Sequence, residues 1–291
     1  ALRGRTHGDG GTFWTWRERM YSVASVLDPD SYYALARATY AEMSLAGVTA
    51  VGEFHYVHHP VGGGSYSDPN AMGAALSAAA ADAGIRLTLL DVCYLAGGLG
   101  SSGYLPVGEG QRRFSDGSAD AWAERFHAID SEPHVKLGAA IHSVRATPPD
   151  AMRVVVEAAA GHPLHFHLSE QPSENVASMA HFGRTPTQLL AESGALGPSS
   201  TAVHATHLTR HDIELLGETG TSCCLCPTTE RDLADGIGPA LALREAGASL
   251  NVGSDQHAVI DLIEEARAVE MHERLISNTR GQHTPDHILE M

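Results

Sequence analysis

Only four cysteines occur in 291 residues, and Cys93, Cys223, Cys224 and Cys226 are too unevenly placed for a disulfide framework. Three crowd into CCLCP, where Cys223 and Cys226 have CxxC spacing. The run continues into Pro227 and Thr228 rather than the helix a redox pair opens, and Cys93 alone remains to extend a zinc ribbon. These cysteines therefore read as small buried strand residues. Positive charge is also scarce: 19 Lys plus Arg against 35 Asp plus Glu give a net charge of −16. Such a surface repels phosphate backbones and anionic lipid, which excludes nucleic acid and membrane as partners. No apolar run approaches the roughly 18 to 20 residues of a membrane helix. The opening ALRGRTHGDGG lacks the apolar stretch of a signal peptide, so a cytoplasmic protein is expected. No shift of composition divides the chain, and 43% hydrophobic content supports one α/β domain over residues 1–291.

What the chain has is alternation. Short apolar runs separated by helical patterns, with Gly, Pro, Ser or Asp at most joints, are the sequence form of repeated βα units. Strands are expected at 49–57, 85–95, 135–144, 163–170, 201–208, 221–227 and 249–257. Helices are expected near 70–83, 119–130, 148–160, 172–193, 209–219, 236–246 and 261–277. An earlier helix over 28–45 has Asp28 as cap, Pro29 in its first turn and Gly47 as its stop. Seven βα units behind an orphan helix match a TIM-type (β/α)8 barrel without its first strand. A seven-stranded barrel would leave an uncovered seam. With Ala1 in place of Met at the start, the expectation is a fragment with residues missing before Ala1. The long loops 58–69 and 97–118 follow strand C-terminal ends, where barrel enzymes build their sites; plain connection is the competing reading.

Titratable residues recur at those same ends: His142 and Arg145, His167 and Glu170, His204 and His207, then Asp255 and His257. In HFHLSEQ (165–171), His165 and His167 share a strand face and Glu170 lies in the turn above. Neutral imidazole and carboxylate are the usual zinc ligands of hydrolases, with one further carboxylate kept off the metal to move protons. His167 reads as such a ligand, while His165 stays open between supporting the site and packing in the core. Asp255, at the end of an apolar strand, reads as a metal ligand or base in preference to a helix cap. Alternation in TAVHATHL sends His204 and Thr206 to one face and His207 off it. His207 and His211, spaced i, i+4 without the glutamate of HExxH, read as surface or capping residues.

HLSE, VHATHL and GSD at successive strand ends resemble the amidohydrolase superfamily in its mononuclear zinc deaminase branch. The stretches FWTWRERMY (13–21), EFHYVHH (53–59), GQRRF (110–114), HSVRA (142–146) and LCPTTERDLADGI (225–237) resemble, more specifically, the formimidoylglutamate deiminase family. The resemblance implies one Zn2+ per subunit, held by His167 and Asp255. It implies that His204 orients the attacking water, Glu170 carries protons and Asp255 assists deprotonation. Tyr56, His142 and Arg145 would receive the substrate's carboxylates, with Arg17 reaching across the contact of a homodimer. The sequence departs from the family in lacking the HxH pair of the first strand and the small β-sandwich built from both chain ends. Two ligands, or three with His204, make an incomplete metal site.

The activity implied is hydrolysis of N-formimino-L-glutamate to N-formyl-L-glutamate and ammonia. One rival is a related deaminase acting on guanine or another aminated heterocycle, whose site should favour aromatic stacking walls. Another is a non-catalytic, histidine-rich metal-binding barrel, which 18 histidines keep open.

Overall fold

The computed structural model describes residues 11–130 and 132–291. The leader reading falls on the first ten residues, outside that range. Helices α1 (Phe13–Ala24) and α2 (Pro29–Leu45) precede β1 (Ala50–His55), and α3 (Ala71–Ala83) leads to β2 (Arg86–Cys93). A small hairpin, β3 (Gly98–Gly100) and β4 (Gly103–Leu105), and a 3-10 turn over Glu109–Phe114 follow before α4 (Ala119–His127). Next come β5 (Val135–Ile141), α5 (Pro149–Ala158), β6 (Leu164–Leu168), α6 (Pro172–Phe182) and α7 (Pro186–Glu192). The chain continues through β7 (Ser200–His204), α8 (Arg210–Glu218), β8 (Ser222–Leu225), α9 (Pro227–Asp232) and α10 (Ala240–Glu245). It closes with β9 (Leu250–Val252), α11 (Leu262–Ser277) and α12 (Pro285–Leu289).

The seven larger strands form one curled parallel sheet in the order β1-β2-β5-β6-β7-β8-β9, the expected seven in the expected succession. Parallel neighbours require helical crossovers, and the helices between them supply these. Among the described residues no strand joins β1 to β9, so the sheet is a partial barrel with two edges.

Alternation along each strand divides the core. Leu90, Val92 and Ala140 pack on the inner face with Phe54, while Ile141, Phe166 and Leu168 join Trp122, Phe126 and Leu190 beneath the helices. Gly138 pairs with Leu90 in register; a Cβ there would stand 2.8 Å from Leu90 Cδ2, so a larger residue would push the Leu90 side chain aside.

The helices differ from expectation where backbone chemistry intervenes. Asp28 caps α2 as read, accepting from the Ser31 N–H at 2.8 Å. The helix expected over 172–193 breaks in two, because Gly183 adopts a left-handed φ of 64° and Pro186 opens a new first turn. The one expected over 236–246 shrinks to α10 behind Gly236, Gly238 and Pro239. Pro227, the last residue of CCLCP, opens α9, contrary to the expectation that the cysteine run ends without a helix. The cysteines are nonetheless free, with Cys223 and Cys226 buried. Burial pushes the Cys223 thiol up to about 12, away from reactivity. No described helix is long and apolar enough to cross a membrane.

Candidate active site

Strand β6, LHFHL, buries Leu164, Phe166 and Leu168 on its helix side, which leaves His165 and His167 on the inner face. Both meet Phe54 there, with ring centroids 6.2 and 4.3 Å away. His167 Nδ1 is 2.7 Å from the His142 carbonyl oxygen. A carbonyl only accepts, so Nδ1 carries the hydrogen and Nε2 keeps its lone pair. Burial pushes the His167 pKa down to about 4, and the ring is neutral.

Beyond β6, a left-handed Ser169 (φ 49°) turns the chain and delivers Glu170. Its Oε2 accepts from Arg145 Nη2 at 3.0 Å and its Oε1 lies 3.5 Å from His204 Nε2. Burial alone would raise the Glu170 carboxyl, but His204 and Arg145 outweigh it and hold it below the usual carboxylate range. Arg145 Nε stands 3.4 Å from Glu174, whose carboxyl burial pushes up to about 7 against the pull of Arg145.

His204 ends β7 at φ 68°, followed by Ala205 at 51°, and alternation stops there. His204 stacks on His167 with ring centroids 5.7 Å apart, and its Nε2 is 4.0 Å from Asp255 Oδ2. Burial opposes charge on this ring, yet Glu170, Glu230 and Asp255 together raise it to about 10. Thr206 does not share the face of His204 as expected; it turns with His207 to a separate groove beside Ile276. His207 Nε2 donates to the Asp235 carbonyl at 2.7 Å, and His211 is exposed. Asp255 sits three residues past β9 in a left-handed turn of its own (φ 40°), its carboxyl pushed up by loss of water.

His142, just past β5, is neutral through burial and packs between Tyr94 at 4.6 Å and His167 at 5.2 Å. Tyr56 meets the His142 ring edge-on at 5.4 Å. A cavity of about 330 Å³ is lined by Tyr56, His142, Arg145, His167, Glu170, His204 and Asp255 together. Arg17 lines the same cavity from its own chain, its guanidinium 4.6 Å over the Trp14 ring.

The sequence profile of the amidohydrolase family matches residues 2–291. The chain belongs to the amidohydrolase family. It is 41% identical to formimidoylglutamate deiminase of Pseudomonas aeruginosa over 93% of this chain and 60% of that protein. It is 29% identical to 8-oxoguanine deaminase of the same organism, over 89% of this chain and 58% of the relative. An amidohydrolase from Brucella melitensis superposes with a TM-score of 0.92 at 31% identity, covering 99% of this chain and 66% of the other. A zinc-complexed atrazine chlorohydrolase from Arthrobacter aurescens shares the fold at 20% identity and a TM-score of 0.76, with 92% and 60% covered. This amidohydrolase chain thus spans about 60% of the length of the curated relatives it matches.

Two metal-competent groups occur among the described residues, one of them sharing His204 with the cavity. His55, His58 and Asp91, all buried, bring ligand atoms within 4.8 Å of one another, as do His204, Cys226 and Glu230. In the first, both Asp91 oxygens are already engaged by Arg125 at 2.8 and 2.9 Å and by Trp122 Nε1 at 2.8 Å. A guanidinium there supplies the charge a cation would bring. Sequence reading singled out neither group.

It also missed α1, which covers the cavity mouth of this amidohydrolase with Phe13, Trp14, Arg17, Met20 and Tyr21. Their spacing of three and four residues was the available signal. In the two long loops, His58 and His59 N–H groups bond the Arg113 carbonyl, and Gly97, Gly98 and Leu99 line the cavity.

Proposed function

We propose that the whole protein hydrolyses N-formimino-L-glutamate to N-formyl-L-glutamate and ammonia. The observation that carries this reading is one cavity with two kinds of wall: Glu170, His204 and Asp255 against Arg17, Tyr56, His142 and Arg145. The 41% identity to a formimidoylglutamate deiminase supports it.

His167 and Asp255 suit a zinc ion, because His167 offers a bare Nε2 fixed by its own Nδ1–H bond and Asp255 adds a carboxylate. Zinc bound there would supply Lewis acidity that makes water a nucleophile near a pKa of about 7. Glu170 takes a proton from the attacking water and passes it to the departing nitrogen, while Asp255 receives the second. A C–O bond forms at the formimino carbon, a C–N bond breaks, and ammonia leaves. His204 Nε2–H, facing Glu170 and Asp255, orients the water. Arg145, with His142, Tyr56 and Arg17, receives the glutamyl carboxylates. Local donors act at contact distance, whereas the acidic surface is screened beyond about 8 to 10 Å.

The same proposal has one zinc per subunit in a homodimeric, cytoplasmic enzyme. It also has an eighth strand closing the sheet between β1 and β9, whose open edges call for a partner.

A heterocycle deaminase is the second reading, favoured by the aromatic residues Phe13, Trp14, Tyr21 and Tyr94 around the cavity. Ammonia release by the full-length protein, measured with N-formimino-L-glutamate and with guanine in parallel, decides. Turnover of guanine alone would replace the first reading by the second.

A further inference from the structure

His204 faces acceptors on both sides of its ring. Nε2 looks into the cavity at Glu170 and Asp255, 3.5 and 4.0 Å away, and Nδ1 looks the other way at Glu230 Oε1, 3.4 Å distant. His204 and Glu230 are 1% and 3% exposed in their side chains, and Glu230 does not line the cavity. Ionised carboxylates accept and do not donate, so each ring nitrogen faces an acceptor, the Nδ1 contact being an ion-pair approach and not a closed hydrogen bond.

Glu230 is itself anchored. Pro227 begins α9 immediately after β8, and Glu230, one turn in, accepts the Cys226 backbone N–H on Oε1 at 2.8 Å. The neighbouring Thr229 ties α9 to the turn bearing Asp255, donating to the Ser254 carbonyl and accepting from the Gln256 N–H, both at 3.3 Å. The short helix therefore fixes what stands behind His204 and what stands beside it.

The alternative use of His204, Cys226 and Glu230 as a metal set is disfavoured. Cys226 stays a thiol, since its hydrogen bond with Cys224 and its burial push it well above the ordinary range. Glu230 Oε1, 3.4 Å from His204 Nδ1, is already committed to the Cys226 N–H.

We infer that Glu230 is the positioning residue for His204, holding the imidazole from behind so that Nε2–H stays aimed into the cavity. It acts on the ring and not on substrate, in the manner of the carboxylate behind a catalytic histidine. This rests on the proposed function for its kinetic consequence, but not for the ring orientation itself.

The test uses the full-length, zinc-loaded protein. Glu230→Ala should lower kcat about 10- to 100-fold, the usual cost of losing a group that orients such a histidine. KM and zinc content should not move, because neither the groups that donate to the substrate's carboxylates nor His167 and Asp255 are touched. Glu230→Gln keeps an amide oxygen for Nδ1–H and should recover much of the loss, and it serves in place of the alanine variant if that fails to fold. In a His204→Asn background, Glu230→Ala should cost nothing further. Full activity of the alanine variant, or losses that multiply in the double variant, would overturn the inference. If the wild type releases no ammonia from N-formimino-L-glutamate, the functional reading fails instead. The orientation is then judged by crystallography: an unmoved His204 ring in Glu230→Ala refutes it, and a turned ring supports it.

Discussion

Arg145 is held between two acids of its own chain: its Nη2 lies 3.0 Å from Glu170 Oε2 and its Nε 3.4 Å from Glu174 Oε2. The guanidinium is thus fixed in place before any substrate arrives, and its orientation needs no reorganisation on binding. Arg145→Met should reduce kcat/KM by about 1.5 to 3 kcal/mol, the worth of a charged hydrogen bond, mostly through KM. Zinc content should stay at the wild-type level. Metal analysis beside steady-state kinetics checks both, and a loss of zinc would mean that Arg145 serves the ligands instead.

Glu170 starts ionised beside Arg145 and His204, takes the proton of water, and is neutral when it hands that proton to the leaving group. Glu170→Gln keeps the shape and removes the base. A fall in kcat of about 10² to 10⁴ is expected, with product affinity retained. Near-normal turnover would remove Glu170 from the proton pathway.

His167 hydrogen-bonds the His142 backbone carbonyl, whereas the His142 ring only packs against it, 5.2 Å away. His167→Ala should therefore lose zinc, while His142→Ala should keep zinc and weaken substrate binding. Metal content after dialysis separates the two, and zinc retained in His167→Ala would displace that residue from the ligand set.

The sheet order was legible because each strand is a short apolar run bounded by turn residues, and TAVHATHL or IRLTLLDVCYL carries that signal whatever lies around it. The cavity walls were legible for a related reason: polar residues at strand ends have nowhere to hide, and His167, Glu170 and Asp255 stand just there. What escaped depended on contacts rather than period. Alternation placed Thr206 with His204 until the left-handed turn at His204 and Ala205 broke it. Glu230, inside LCPTTERDLADGI, carried no signal of its own, because only the turn into α9 brings it behind the imidazole. The pairing of Asp91 with Arg125 joins residues 34 apart, which no local pattern announces.

Gly217 lies where α8 crosses the end of α10. A Cβ there would stand 2.0 Å from the Ala246 carbonyl oxygen, a backbone atom that cannot swing aside. Alanine improves helix propensity by about 1 kcal/mol, but the clash outweighs this. Gly217→Ala should destabilise the fold by roughly 1 to 3 kcal/mol, read as a lower urea midpoint.

Asp116, 6% exposed in its side chain, accepts from His59 Nε2 at 2.9 Å and from Arg125 Nε at 2.8 Å. Burial pushes its carboxyl up, but His59 and Arg125 outweigh that and hold it well below the usual range. Unfolded, it titrates near about 3.9. Between the two values the unfolded chain binds a proton that the folded one refuses, so stability falls as pH drops below about 4. The urea midpoint should decline more steeply from pH 5 to pH 3 in the wild type than in Asp116→Asn; equal slopes would discount the pairing.

Ser169, His204, Ala205 and Asp255 all bend the chain into the left-handed region without being glycine, and all sit at or just beyond the end of a strand that opens on the cavity. Each such bend typically costs about 1 to 3 kcal/mol. Glycine or asparagine would occupy those bends more comfortably, so replacing His204 or Asp255 with one of them removes chemistry and relieves the backbone together. Breeding this molecule for heat resistance alone would tend to select inactive descendants first, and any such campaign has to screen for turnover at every round.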